Sequence, residues 1–224
     1  MPLARVGQKL IYFAHVPKCA GMTVAHYIKQ RFGPIAMQYN RFSSIPTKDR
    51  WSVTSPQHMP ESVRQHYVPD AFIDASFSIV RHPAVRLRSV FLFQREIEHR
   101  IAQNTAFSEW LKTVAAALHG DPNIYDGHLR PMTEMVPDTA CIFKLENGLS
   151  PVIDWLDDMA GTKDGPRSMR PVNVLAARMA RIKAAVPSLK LTNADYDRIA
   201  GLYAADYEKF GYETVPEKTE ALQT

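Results

Sequence analysis

The chain has 224 residues, of which 46% are hydrophobic and 22% are charged, a composition typical of a globular domain and unlike that of a disordered chain. Its formal net charge of +4 suits an anionic ligand, but no run of lysines and arginines resembles a nucleic-acid-binding arm, so we expect no nucleic acid partner. The two cysteines, Cys19 and Cys141, have neither zinc-site nor disulfide-framework spacing. We expect one cytoplasmic domain over residues 1–224, with no membrane span and a flexible tail at about 213–224.

The first predicted strand is an apolar run at residues 10–15. A short turn with a lysine follows, and then a helical pattern over residues 23–32 that ends before Gly33. A turn between a strand and a helix directs backbone N–H groups and the positive end of the helix dipole to one point. Lys18 adds a full positive charge there. The stretch therefore predicts an anion cradle whose natural ligand is a phosphate or a sulfate.

The rest of the chain alternates between short strands and helices. The further strands are predicted at residues 35–40, 50–54, 77–80 and 140–144. The further helices are predicted at residues 61–67, 83–100, 107–118, 150–159, 172–186 and 192–210, the last opened by a capping box at Thr192 and Asp195. Strands separated by helices indicate a parallel sheet with helices on both faces, and the lysine turn belongs at its carboxyl edge.

A second candidate phosphate site follows the strand at residues 77–80. That strand brings Arg81 to the carboxyl edge of the sheet, and the next helix carries Ser89 about two turns from its start. A guanidinium offers several N–H donors in one plane, and a serine offers a hydroxyl donor on a short side chain. The two side chains can therefore bind one phosphate together. The role of Arg86, which lies between them, stays open.

Several segments resemble the sulfotransferases that use 3′-phosphoadenosine-5′-phosphosulfate (PAPS). Residues 17–23, Pro-Lys-Cys-Ala-Gly-Met-Thr, fit neither a Walker P-loop nor a cysteine-phosphatase loop. They resemble the 5′-phosphosulfate loop of sulfotransferases, most of all the carbohydrate type that includes the heparan sulfate 2-O enzymes. Residues 81–89 are similar to the family's 3′-phosphate element, Arg-x-Pro-x-x-Arg-x-x-Ser. Further similar segments are at residues 128–131, 142–146 and 199–212.

The resemblance implies a P-loop-kinase-like, three-layer α/β fold with a central parallel sheet flanked by helices. It also implies PAPS as co-substrate, 3′,5′-ADP as product and no metal. Lys18 would contact the bridging oxygen of the leaving phosphate, and Arg81 and Ser89 would bind the 3′-phosphate. The 5′-phosphosulfate would be bound by the loop residues Lys18, Cys19, Ala20, Gly21, Met22 and Thr23.

His58 is the expected catalytic base. It lies in a loop bounded by two prolines that resembles the family's Gly-His-x-Pro region, with Gln57 in the place of glycine. An ordinary imidazole titrates near neutrality, as a base at physiological pH must. His15, beside the lysine turn, is the alternative base or a pocket residue. His128 and Arg130 are expected either to bind the acceptor or to make structural hydrogen bonds.

Two other functions remain open on these residues. One is a kinase or other phosphotransferase on the same fold, although a Gly-Lys-Ser/Thr motif and a magnesium-binding aspartate after a strand are not evident. The other is a nucleotide-binding module without catalysis. The expected partner is a carbohydrate or a small hydroxylated metabolite, whose identity the sequence does not specify, and the oligomeric state is not predicted.

Overall fold

The computed structural model describes residues 1–172, 175–181, 185 and 187–216. The strands are β1 (Leu3–Val6), β2 (Lys9–Ala14), β3 (Ile35–Ala36), β4 (Ala75–Val80) and β5 (Cys141–Lys144). The helices are α1 (Gly21–Phe32), α2 (Glu61–Tyr67), α3 (Pro83–Glu96), α4 (Phe107–Gly120), α5 (Ile124–Gly127), α6 (Ser150–Ala160), α7 (Leu175–Arg181), α8 (Asn193–Leu202) and α9 (Ala204–Phe210).

The chain divides into two compact units. The first contains Met1–Val80 and Met132–Val172, and the second contains Arg81–Pro131 with the described residues after Val172. The expectation of one domain over residues 1–224 stays a prediction. No helix in the described part of the chain is long and apolar enough to span a bilayer.

The first unit is built on a five-stranded sheet in the order β3-β1-β2-β4-β5. β2, β4 and β5 are parallel, with Tyr12 opposite Ser76 and Ser78 opposite Ile142. β1 is antiparallel to both β2 and β3. The sheet is therefore mostly parallel, and the expectation of a wholly parallel sheet is wrong for β1.

β1 was not among the predicted strands, and a tight hairpin explains its direction. Val6 pairs with Lys9, so only two residues join β1 to β2. Gly7 begins this connection with a φ of +59°, a backbone conformation that two-residue hairpins require and that glycine adopts without strain. Such a hairpin forces the two strands to run in opposite directions.

The predicted strands at residues 35–40 and 50–54 are mostly wrong. Only Ile35–Ala36 pairs with the sheet, and residues 50–54 contain no strand. Short 3₁₀ turns at Phe42–Ser44 and Thr47–Asp49 interrupt this stretch, with Pro46, which has no N–H to offer a neighbouring strand, directly before the second turn. The apolar residues here pack with one another instead of entering the sheet.

Helices cover both faces of the sheet within the first unit. On one face Phe13 stacks on Phe77 at 4.8 Å between ring centroids, and Trp155 of α6 packs on Phe77 at 5.0 Å. On the other face the guanidinium of Arg64 in α2 lies 5.2 Å from the centre of the Tyr12 ring. Successive strand residues point to opposite faces, which separates Tyr12 from Phe13. The expected sheet flanked by helices is confirmed in this unit.

The core of the second unit is formed by α3, α4, α8 and α9. Phe91 packs on Trp110 at 5.2 Å, and both belong to a buried cluster that includes Ile199. The expected capping box at Thr192 and Asp195 is confirmed. The predicted continuous helix to residue 210 is interrupted at Tyr203, between α8 and α9.

The other predicted helix boundaries differ by a few residues. α3 ends at Glu96, one turn before the predicted end at residue 100. α6 begins at the predicted residue, Ser150, and ends at Ala160, one residue after the predicted end. Only Leu175–Arg181 of the predicted helix at residues 172–186 is helical among the described residues, and residues 173–174, 182–184 and 186 lie outside them.

Candidate active site

The lysine turn between β2 and α1 has an unusual backbone. Lys18 has a φ of 68° and Ala20 a φ of 61°, so two non-glycine residues take the left-handed conformation. Such residues cost conformational energy and concentrate at functional sites. A left-handed residue between right-handed or extended ones directs successive N–H groups into one concavity, which suits an anion.

Gly21, the first residue of α1, leaves room for an imidazole. A Cβ atom at this position would overlap the ring of His15. His15 is 4% exposed and stacks on Phe13 with ring centroids 5.4 Å apart. The absence of a side chain at Gly21 therefore lets His15 lie directly against the first turn of α1.

His58 lies beside His15. It ends the 3₁₀ turn Pro56–His58, and its ring is perpendicular to that of His15 at a centroid distance of 5.1 Å. Its Nδ1 is 3.1 Å from the hydroxyl of Ser55, and the side chain is 8% exposed. The structure thus brings together three sequence-predicted residues: His58, His15 and Gly21.

The side chains of Thr23 and Cys19 both contact backbone groups. The hydroxyl oxygen of Thr23 accepts a hydrogen bond from the N–H of Val172 at 2.9 Å, and the residue is 5% exposed. The buried thiol of Cys19 lies 3.7 Å from the carbonyl oxygen of Pro17. Lys18 is half-buried.

The segment after α6, residues 161–172 (the α6 loop), is fixed to α1 at several points. Tyr27 donates its hydroxyl to the carbonyl of Pro166 at 2.9 Å, and Arg31 donates to that of Thr162 at 3.0 Å. The end of the loop donates to Thr23 through Val172. The loop is therefore attached to the helix whose first turn carries the candidate anion cradle.

A buried carboxylate holds the α6 loop in place. Asp157 of α6 is 2% exposed, pairs with Arg31 at 2.6 Å and also pairs with Arg167 of the loop. Arg167 makes a second ion pair with Asp154 at 2.7 Å. Burial alone would raise the pKa of Asp157, but the hydrogen bonds from Arg167 and Arg31 outweigh it and hold that pKa below its ordinary value.

The second unit contains the other predicted residues. Arg81, directly after β4, is 7% exposed, and Ser89 lies half-buried in the second turn of α3. Arg86 is 1% exposed and donates to the carbonyl oxygens of His128 and Arg130 at 3.0 and 2.8 Å. The role left open for Arg86 is therefore structural, because it holds the segment at residues 128–130.

His128 and Arg130 also make structural hydrogen bonds. Nδ1 of His128 is 3.3 Å from the amide nitrogen of Gln94, and Arg130 donates to the side-chain oxygen of Asn123 at 2.9 Å. Their role in binding the acceptor stays a prediction.

A family of known proteins matches most of the chain. The sequence matches the model described as "Sulfotransferase family" over residues 3–213. No curated protein and no solved structure matches the chain significantly. The family match includes the lysine turn, His58 and the stretch from Arg81 to Ser89.

Proposed function

The chain belongs to the sulfotransferase family, and we propose that it transfers the sulfuryl group of PAPS to a hydroxyl acceptor, releasing 3′,5′-ADP. The acceptor class that we propose is a carbohydrate, as for the heparan sulfate 2-O-like enzymes, or a small hydroxylated metabolite. The alternative of a kinase has no supporting observation. A binding module without catalysis is not favoured either.

The observation that carries the proposal is a pair of packed imidazoles, one of which lies directly against the first turn of α1. His15 fills the space that Gly21 leaves open, and His58 packs on His15 at 5.1 Å. An anion at the start of α1 would meet the N–H groups of the turn, the helix dipole and Lys18. A base that lies beside an anion cradle is the arrangement that sulfuryl transfer to a hydroxyl requires.

In the proposed mechanism, Lys18 stabilises the charge that develops on the leaving phosphate. Sulfuryl transfer, like phosphoryl transfer, needs in-line geometry and charge stabilisation more than covalent catalysis. A lysine at the bridging oxygen interacts most strongly when that oxygen becomes negative in the transition state. The 5′-phosphosulfate is bound in this proposal by Lys18, Cys19, Ala20, Gly21, Met22 and Thr23.

His58 accepts the proton of the acceptor hydroxyl in the same step. Its Nδ1 lies 3.1 Å from the hydroxyl of Ser55. In the tautomer with a proton on Nδ1, this group donates to the Ser55 oxygen, and Nε2 carries the lone pair that a base needs. Ser55 then acts as a positioning residue that selects the reactive tautomer.

The 3′-phosphate is bound by Arg81 and Ser89, and His128 and Arg130 contribute to the acceptor site. The experiment that tests the cofactor is calorimetry with 3′,5′-ADP and 5′-AMP, which differ only in the 3′-phosphate. We expect much tighter binding of 3′,5′-ADP and loss of that preference in Arg81→Ala. Lost charge-assisted hydrogen bonds cost about 1.5–3 kcal/mol, or roughly ten- to a hundredfold in affinity.

Arg100→Ala is the matched control, since it removes the same charge from an exposed residue of the second unit. Its preference for 3′,5′-ADP should equal that of the wild type. Equal affinity for the two nucleotides in the wild type, or a preference for ATP with magnesium, would contradict the proposal.

A further inference from the structure

A pocket of about 450 Å³ lies along one face of α1, within the first unit. Met22, His26 and Lys29 line it from the helix, at the spacing of residues that share a helical face. Gln38, Tyr39 and Arg41 line it from the segment after β3. No motif in the sequence indicated this pocket.

The lining is cationic. Lys29 and Arg41 are cationic side chains, and His26 adds an imidazole. No aspartate or glutamate of the described residues lines the pocket. Two cations without a carboxylate between them favour a ligand with negative charge, and an arginine fork matches a carboxylate, phosphate or sulfate group.

One residue of the pocket wall has a buried hydrogen-bond acceptor that needs a donor. The side-chain oxygen of Gln38 is buried and has no hydrogen-bond partner among the described residues. The nitrogen of the same amide donates to Asn40 at 3.2 Å and lies 3.6 Å from the sulfur of Met22. Buried acceptors are normally satisfied, so the Gln38 side chain has a reason to turn towards a ligand hydroxyl when the pocket is occupied.

An aromatic surface borders the cations. The ring of Tyr39 is 42% exposed and packs on Trp51, which is 58% exposed, with centroids 5.5 Å apart. An exposed ring of this kind can pack against the face of a ligand ring. The combined features fit a ring compound with hydroxyl groups and a negative charge.

We propose that this pocket selects the acceptor, and that the acceptor is an anionic, hydroxylated ring compound. The inference rests on the proposed sulfotransferase function, because Met22 belongs both to the proposed 5′-phosphosulfate loop and to the pocket. Lys29 is seven residues further along α1, which corresponds to about 10 Å of helix. The acceptor proposed here therefore extends along α1 from Met22 towards Lys29.

The test uses PAPS labelled in its sulfuryl group and the small hydroxylated compounds of a cell extract, separated by anion exchange into a neutral and an anionic fraction. The full-length wild type should label the anionic fraction. Lys29→Ala and Arg41→Ala should each reduce that labelling about tenfold or more when the anionic fraction is dilute, and by less when it is concentrated. Lys112→Ala removes an equal charge from α4, in the second unit, and should label like the wild type.

Calorimetry with 3′,5′-ADP separates this inference from the proposed function. Lys29→Ala should bind 3′,5′-ADP as the wild type does, because the lysine contacts the acceptor and not the cofactor. The pocket assignment would be overturned by label in the neutral fraction alone or by label in neither fraction. Equal labelling of the dilute anionic fraction by Lys29→Ala and the wild type would also overturn it. Failure of the wild type to prefer 3′,5′-ADP would instead overturn the proposed function.

Discussion

His58 and Lys18 act, in the proposed mechanism, on different molecules, so single substitutions separate them. His58→Ala should lower turnover by about 10²–10⁴-fold and leave 3′,5′-ADP binding nearly intact, because a general base acts on the acceptor. Lys18→Ala should weaken nucleotide binding and also slow transfer, because the lysine contacts the cofactor where charge develops. The measurements are calorimetry with 3′,5′-ADP and the pH dependence of transfer.

The pH profile distinguishes His58 from His15. The wild-type rate should rise with pH as the base loses its proton, and this ascending limb should disappear in His58→Ala. Near-normal turnover of His58→Ala with the limb unchanged would exclude His58 as the base. His15, which packs on His58 at 5.1 Å, would then be the residue to replace next.

The packing of His15 against Gly21 predicts that a larger residue at position 21 lowers the free energy of unfolding. Gly21→Ala adds a Cβ that overlaps the His15 ring, and forcing a methyl group into a packed site costs about 1–3 kcal/mol. Denaturant unfolding should show this loss, and Gly21→Ala should cost much less when it is made in the His15→Ala variant. Gly201→Ala in α8 is the control, since nothing lies within 4 Å of its Cβ and alanine favours a helix by about 0.5–1 kcal/mol.

If Gly21→Ala is as stable as the wild type, or if it costs as much in the His15→Ala variant as in the wild type, the close packing of His15 on α1 is wrong. The sequence predicted both residues because they belong to one contiguous motif around the lysine turn. It did not predict their contact, because the overlap depends on the left-handed turn at Lys18 and Ala20, a conformation that residue types alone do not indicate.

At the scale of elements, the attachment of the α6 loop depends on Asp157. The buried carboxylate pairs with Arg31 of α1 and Arg167 of the loop, and the loop ends at the hydrogen bond from Val172 to Thr23. Since Val172 donates to the Thr23 oxygen, the hydroxyl hydrogen of Thr23 remains to be donated elsewhere, and the proposed partner is the phosphosulfate. We therefore expect Asp157 to act as a positioning residue for cofactor binding.

Asp157→Asn should lower the free energy of unfolding at neutral pH and weaken 3′,5′-ADP binding several-fold. The lowered pKa of Asp157 means that its contribution to stability is present above the ordinary aspartate range, about pH 4, and is lost as the pH falls through the folded-state value. The wild type should therefore lose stability on acidification more steeply than Asp157→Asn. Denaturant titrations between neutral and acidic pH measure this difference.

Asp158→Asn is the matched control, because this neighbouring aspartate of α6 is exposed. Its stability and nucleotide affinity should follow those of the wild type. If the free energy of unfolding depends on pH in the same way in Asp157→Asn and the wild type, the Asp157 carboxylate does not hold the α6 loop in place. Unchanged 3′,5′-ADP binding in a destabilised Asp157→Asn would limit its role to the fold.

The elements that the sequence predicted are those with a local signal. α2 occupies the predicted residues 61–67, and the capping box at Thr192 identified the start of α8. β1 was missed because it has only four residues. Its pairing with β2 depends on the turn at Gly7 and Gln8 that joins the two strands. Residues 50–54 suggested a strand from their composition alone, but 3₁₀ turns precede and follow them. The ion pairs of Asp157 join distant parts of the sequence and have no local signal.

For the whole molecule, the order of two short motifs carried the family assignment. The lysine turn and the stretch from Arg81 to Ser89 each have structural alternatives, but their order and spacing together indicated a sulfotransferase, and the match over residues 3–213 confirms that family. The division into two units was not predicted, because it depends on contacts between residues far apart in sequence.

The Tm of the protein, measured with each nucleotide in turn, should show which nucleotide it binds. A ligand at a hundred times its Kd stabilises the folded state by about 2.7 kcal/mol, and 1 kcal/mol raises the Tm of a chain of this size by about 2–4 °C. We therefore expect 3′,5′-ADP to raise the Tm by roughly 5–10 °C. ATP with magnesium at the same concentration should raise it far less, because ATP lacks a 3′-phosphate for Arg81 and Ser89. Thermal unfolding followed by circular dichroism measures both shifts. A large shift with ATP and magnesium and none with 3′,5′-ADP would favour a kinase on the same fold.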